Sequence, residues 1–187
     1  MRAVDALEIA KDFRGLFNPG TFAKWRFAGS IRRGRSNVKD IEHVIIPVFR
    51  DRLDMLGQVE GRVNLLWEQL DAMVESSRVD KALYRRKDSP KLTFRWGEKY
   101  RGVDYQGIKH ELFLASPENW GVIFGIRTGS ALFSQHVVTE MLRGGVYRVQ
   151  GGNLTLQKDG SIVPCASEQD WFAAARMEWL KPSQREV

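Results

Sequence analysis

The sequence predicts an α+β protein: a mixed sheet flanked by helices, followed by a small C-terminal α/β subdomain. Three observations predict it. Apolar residues recur at helical spacing over 4–17 and 62–76. Runs rich in Ile and Val, and short apolar pieces bounded by glycine, read as strands between and after them. Beyond Gly144-Gly145 the pieces become short and are split by Gly151-Gly152 and Asp159-Gly160, the pattern of hairpins. At 187 residues, the length suits one compact unit or one with a small appendage.

Taken in order, Ala6, Ile9, Ala10, Phe13, Leu16 and Phe17 form one helical face, ended by Asn18-Pro19-Gly20. Lys24 to Ala28 reads as a short strand broken by Gly29-Ser30, and Ile41 to Val48 as a second strand. The stripe Val63, Leu66, Trp67, Leu70, Met73 and Val74 marks the clearest helix. Leu92–Trp96 and Gly107–Ala115 read as strands joined by a turn-rich segment over 97–106. Ser116-Pro117-Glu118 starts a helix, Thr128-Gly129-Ser130 interrupts it, and a second runs from Ala131 to Leu142. Tyr147–Val149, Leu154–Leu156 and Ile162–Val163 are strand pieces, and Ser167-Glu168-Gln169-Asp170 opens a last short helix. A soft boundary near residues 125–130 is expected to separate a mixed α/β part from a smaller C-terminal part.

Composition excludes several classes. The single cysteine, Cys165, allows no internal disulfide and no cysteine zinc cluster. No apolar run reaches the roughly 18 residues of a membrane span, so no membrane partner is expected. The opening residues lack a signal peptide's apolar core, which points to a reducing, cytoplasmic compartment. His43, His110 and His136 share no ligand spacing; the first two flank carboxylates and face the other way, so they read as structural.

The net charge of +6 is unevenly placed. Residues 24–39 carry +6 and residues 78–101 another +6, on an otherwise acidic chain. Two basic segments point to a polyanion. In the second, Arg85, Arg86, Lys87, Arg95, Lys99 and Arg101 interleave with Trp96 and Tyr100, a pattern suited to gripping a DNA backbone and stacking a base.

The first basic segment carries chemistry. Asp40 and Glu42 stand two apart at a strand start, which puts both carboxylates on one face with Cα atoms about 6–7 Å apart. Such a pair can hold a hard divalent cation. Just upstream, Gly29-Ser30 permits close approach of backbone N–H groups to a phosphate. Arg32 and Arg33 add bidentate phosphate donors. Metal and phosphate cradle together suit phosphoryl or nucleotidyl transfer.

Gly-Ser, nine residues, then Asp-Ile-Glu resembles the nucleotidyltransferase superfamily signature, and Ala28 to Gly34 is similar to the family X DNA polymerases. The resemblance spans most of the chain outside roughly residues 50–100, in a minimal form like the smallest viral members: palm plus C-terminal subdomain. It implies a palm over 1–127 and a nucleotide-binding subdomain over 128–187. It implies Asp40, Glu42 and Glu111 as carboxylates for two Mg²⁺ ions, with Mn²⁺ able to substitute. Glu111 lies eighteen residues before Gly129, the family's spacing. The resemblance also implies Gly29, Ser30, Arg33, Thr128, Gly129 and Ser130 against a nucleoside triphosphate, and Lys109 as partner of the third carboxylate. DNA is the implied acceptor, with RNA, protein or a small molecule, or a non-catalytic binding role, as alternatives. The chain departs from the family in having Glu at the second and third carboxylates, and Ile126-Arg127 where the polymerases carry an aromatic pair.

Overall fold

A five-stranded mixed sheet in the order β1-β2-β9-β8-β5 organises most of the computed structural model, which describes residues 1–85 and 91–186. Its strands are β1 (Phe22–Phe27), β2 (Asp40–Pro47), β5 (Asp80–Lys81), β8 (Tyr100–Tyr105) and β9 (Ile108–Leu114). Only β2 and β9 run parallel; the other neighbours are antiparallel. The protein is therefore a mixed α+β structure, as the sequence predicts.

One face of the sheet is dry. Helices α1 (Ala3–Gly15) and α3 (Leu65–Glu75) cover it, burying Phe13, Leu66, Trp67 and Leu70 against Trp25, Ile45, Val103 and Leu112. Burying side chains of this size stabilises the fold by about 1.5–3 kcal/mol each. Asn64 caps α3 by accepting from the Leu66 and Trp67 amides at 3.1 and 3.2 Å. That cap starts the helix three residues later than the apolar stripe suggests. The residues before it pair as the exposed ribbon β3 (Phe49–Leu53) and β4 (Val59–Asn64). Neither strand buries a face, so neither shows the alternation by which strands are recognised.

The segment over 97–106 is a correction. It holds β8, hydrogen-bonded to β9 through a tight turn at Gln106-Gly107, both at positive φ (52° and 73°). The glycines in and beside this strand lowered its apparent strand propensity. A small hairpin of β6 (Leu83–Arg85) and β7 (Leu92–Phe94) lies beside it. The helix expected at Ser116 begins at Trp120, because 117–119 form a turn in which Asn119 Oδ1 accepts from the Ser116 amide at 2.7 Å.

The other face of the sheet is covered only in part. Trp120 and Phe124 of α4 (Trp120–Thr128) pack on Val44, Phe113 and Ala28. Val122 of the same helix enters a second core with Phe133, Val137 and Met141 of α5 (Ala131–Arg143) and Trp171 and Phe172 of α6 (Glu168–Ala174). Leu154 of β11 (Asn153–Leu156) joins this core, in a three-stranded sheet with β10 (Tyr147–Gln150) and β12 (Ile162–Val163). Helix α4 thus belongs to both cores. Among the described residues, no helix is long and apolar enough to cross a membrane.

Candidate active site

Where α4 stops covering the sheet, the same face turns acidic. Along β2, residues 41, 43 and 45 are buried, while Asp40 is exposed and Glu42 only partly buried. Across the parallel pair β2–β9, Glu42 stands directly opposite Glu111, and Asp40 opposite Lys109. Strands pair at about 4.8 Å, and residues in register share a face. Asp40, Glu42 and Glu111 therefore emerge together, although the last two stand 69 positions apart in the chain.

Each carboxylate has a distinct neighbour. Short helix α2 (Gly29–Arg32) begins straight after β1, with Gly29 at φ +58°. Its bare Cα lies against the Glu42 carboxylate, and a methyl group there would collide with it. Burial pushes the Glu42 carboxyl up to about 7; Glu111 and Asp40 add to this, while Arg127 and Arg33 oppose it. Glu111 Oε1 accepts from the Tyr100 hydroxyl at 2.9 Å, and Tyr84 and Tyr100 hydroxyls are 2.9 Å apart. A carboxylate only accepts, so the Tyr100 proton goes to Glu111 and Tyr84 donates to Tyr100. Gly102, opposite Glu111 on β8, makes this possible, since a methyl group there would meet the Tyr84 ring. Burial also pushes the Tyr84 hydroxyl up to about 12 and the Tyr100 hydroxyl far above its usual range, so both stay protonated donors.

Two cavities flank the carboxylates. One, of about 380 Å³, is walled by Arg95, Lys99, Tyr100, Glu111, Phe113 and Arg127, among others. Arg127 lies 3.8 Å over the Phe113 ring. The other, of about 300 Å³, is walled by Ser30, Arg33, Arg35, Asn37, Lys39, Asp40, Glu42 and Glu186. Anionic groups entering it would meet guanidinium and ammonium donors on one side and carboxylates on the other.

The donor chemistry of the trio, carboxylate oxygens alone, is that of Mg²⁺ or Mn²⁺. Their present positions leave the set open. Among the described residues, no group of three or more His, Cys, Asp or Glu side chains is close enough to hold an ion. Glu42 is turned onto Gly29 and Glu111 is held by Tyr100.

Several expected roles fall out differently. Lys109 donates to the Leu83 carbonyl at 2.6 Å, and Tyr100 serves Glu111 in its place. Thr128 is fully buried, its hydroxyl accepting from Arg32 at 2.5 Å and its carbonyl from Arg33 at 2.7 Å. Gly129 is buried beside it, and Ser130 caps α5 by accepting from the Phe133 amide at 3.2 Å. This turn thus holds the arginines and a helix start. Arg101 cannot grip DNA, because it is buried between Trp67 and Trp96 and paired with Asp71 at 2.7 Å. Arg95 lies over Tyr84, and Lys99 donates to the Gly151 carbonyl at 3.2 Å, both beside the larger cavity. Arg85 is exposed, while Arg86 and Lys87 lie outside the described residues.

The sequence reading missed the Tyr84–Tyr100 pair, because its signal is register: Tyr100 lies two residues before Gly102, the partner of Glu111. It also missed the buried bridge of Arg32, Glu168 and Arg185. Glu168 accepts from Arg32 at 2.7 and 2.6 Å and from Arg185, whose side chain is fully buried. This bridge ties α2 to α6.

The reverse of the same strands carries His43 and His110, both fully buried. Trp25 Nε1 donates to His43 Nδ1 at 3.0 Å, so neutral His43 carries its proton on Nε2 and passes that bond to His110 Nδ1 at 2.9 Å. The His110 proton then sits on Nε2, which finds no hydrogen-bond partner among the described residues. Burial holds His110 down to about 3 and His43 well below its usual value. The unfolded chain protonates these rings near pH 6.5 and the native state does not. Stability is therefore complete above pH 6.5 and falls toward pH 3, by about 1.4 kcal/mol per pH unit for each histidine. Glu42, with its raised value, works oppositely between about pH 7 and 4.5. Urea unfolding of Glu42→Gln in chelator should expose the histidine slope; a stability flat from pH 6.5 to 5 would contradict it.

The described geometry stands without support from relatives: no protein-family model and no curated protein matches this chain.

Proposed function

We propose that the chain is a metal-dependent nucleotidyltransferase of the palm type, moving a nucleotide from a nucleoside triphosphate to a nucleic-acid 3′-hydroxyl, as a small template-directed DNA polymerase like those of family X does. The observation that carries this reading is the direct register of Glu42 and Glu111 on parallel neighbours, with Asp40 on the same face and Gly29 pressed against Glu42.

Asp40, Glu42 and Glu111 would hold the Mg²⁺ ions, which when bound supply charge neutralisation and hydroxyl activation. The chain's other residues bind and orient. Ser30, Arg33, Arg35 and Lys39 offer donors for phosphate oxygens in the smaller cavity. Arg95, Lys99, Tyr100 and Arg127 wall the larger cavity, which has room for the nucleoside or the primer end. Tyr100 fixes one Glu111 oxygen and leaves the other available.

A second reading, a nucleotide-binding member of the fold without catalysis, draws on the open arrangement of the trio. Primer extension with each dNTP and rNTP, in Mg²⁺ and in Mn²⁺, decides between them. Metal-dependent extension is expected, together with DNA affinity that falls steeply as salt rises. No nucleotide transfer to primer or any other acceptor would overturn the enzyme assignment.

A further inference from the structure

The smaller cavity already contains an anion, supplied by the chain itself. Arg185 is pinned: its guanidinium is buried on Glu168, its Nε donates to the Leu180 carbonyl at 2.9 Å, and its own carbonyl accepts from the Ser130 amide at 2.9 Å. The next residue, Glu186, is thereby placed over α2. Its Oε1 accepts from Arg33 Nε at 2.5 Å, and its Oε2 lies 3.2 Å from Arg35. Its two oxygens face two different guanidiniums, as two oxygens of one phosphate group would. Arg33 has little freedom to serve a second anion elsewhere, since its side chain is only 13% exposed and its Nη1 is committed to the Thr128 carbonyl.

We infer that Glu186 is an internal stand-in for phosphate, which the phosphate tail of a nucleoside triphosphate displaces from Arg33 and Arg35. The inference rests on the nucleotidyl-transfer reading above and adds a competitor to it. A carboxylate of fixed local concentration raises the threshold for any incoming anion. A monophosphate must replace both ion pairs with one group. A triphosphate spreads its oxygens over Arg33, Arg35 and Lys39 and repays the loss. Glu186 thus favours long, highly charged tails over single phosphates.

The test is calorimetric titration of inorganic tripolyphosphate and orthophosphate into the whole chain, at fixed ionic strength with chelator. Glu186→Gln and Glu186→Ala should bind tripolyphosphate about three- to tenfold more tightly, the worth of a partly exposed ion pair. They should gain proportionally more for orthophosphate. Arg33→Gln should lose at least about tenfold. If the Glu186 variants bind as the wild type does while Arg33→Gln is impaired, the phosphate site stands and the stand-in role falls. If Arg33→Gln binds normally, or if wild type and Glu186 variants bind neither anion, the phosphate site falls and the stand-in with it. Circular dichroism of each variant confirms that the comparison is between folded proteins.

Discussion

Glu168→Ala is expected to cost about 3–5 kcal/mol of folding stability, the usual result of removing one partner from a buried ion pair. Glu168 accepts two bonds from Arg32 and one from Arg185. Burial disfavours its charge, yet the bonds from Arg32 and Arg185 outweigh burial and hold the carboxyl below its ordinary range. Without it, the fully buried Arg185 guanidinium keeps, among the described residues, only the Leu180 carbonyl bond, and its Nη2 has no hydrogen-bond partner among them. Total stabilities of about 5–15 kcal/mol are ordinary, so the loss is a large share. Urea unfolding at pH 7 measures it. Glu168→Gln, which keeps an acceptor and loses the charge, should fall between. A loss under about 1 kcal/mol for Glu168→Ala would mean that the two arginines re-solvate freely and that the bridge holds nothing. The same change should loosen α2, because Arg32 leaves that helix to reach Glu168.

Asp40→Asn is expected to lower nucleotide transfer by about 10²–10³-fold or more, equivalent to roughly 3–4 kcal/mol of barrier. The substitution keeps the shape and removes the charge. Asp40 is exposed at the first position of β2 and contributes nothing to either core. Thermal stability should accordingly hold, or rise slightly as repulsion from Glu42 is relieved. Transfer measured with Mn²⁺, alongside an unfolding curve, separates the two effects. Unchanged transfer with unchanged stability would remove Asp40 from the site. Glu111→Gln should show the same pattern, with Tyr100 still donating to the remaining oxygen.

How much of this was legible beforehand depends on the physical signal each feature leaves. Helices α1, α3 and α5 bury one stripe each, so their periodicity is written in the chain. Strand β2 was legible from its run of Ile and Val, which the sheet buries on both faces beyond Glu42. The bend at Gly29 was marked by residue type, because only glycine suits both the positive φ and the press of Glu42. The exposed ribbon β3–β4 has no dry face and left no pattern. Lys109, Thr128 and Arg101 were misjudged for a common reason: their partners, Leu83, Arg32 with Arg33, and Asp71, are distant in sequence and are brought in by tertiary packing. A cation run looks alike whether it is solvated or, as with Arg101, sandwiched between Trp67 and Trp96.

The back-to-back placement of Glu42-His43 on one strand and His110-Glu111 on its neighbour has an evolutionary consequence. Sliding either strand by a single residue would drive a carboxylate into the aromatic interior and expel an imidazole to water. Misaligned pairing is thereby penalised twice, once on each side. Selection acting on the chemistry of the acidic surface and selection acting on correct alignment of the sheet fall on the same two dipeptides. Neither dipeptide can drift without both properties registering the change.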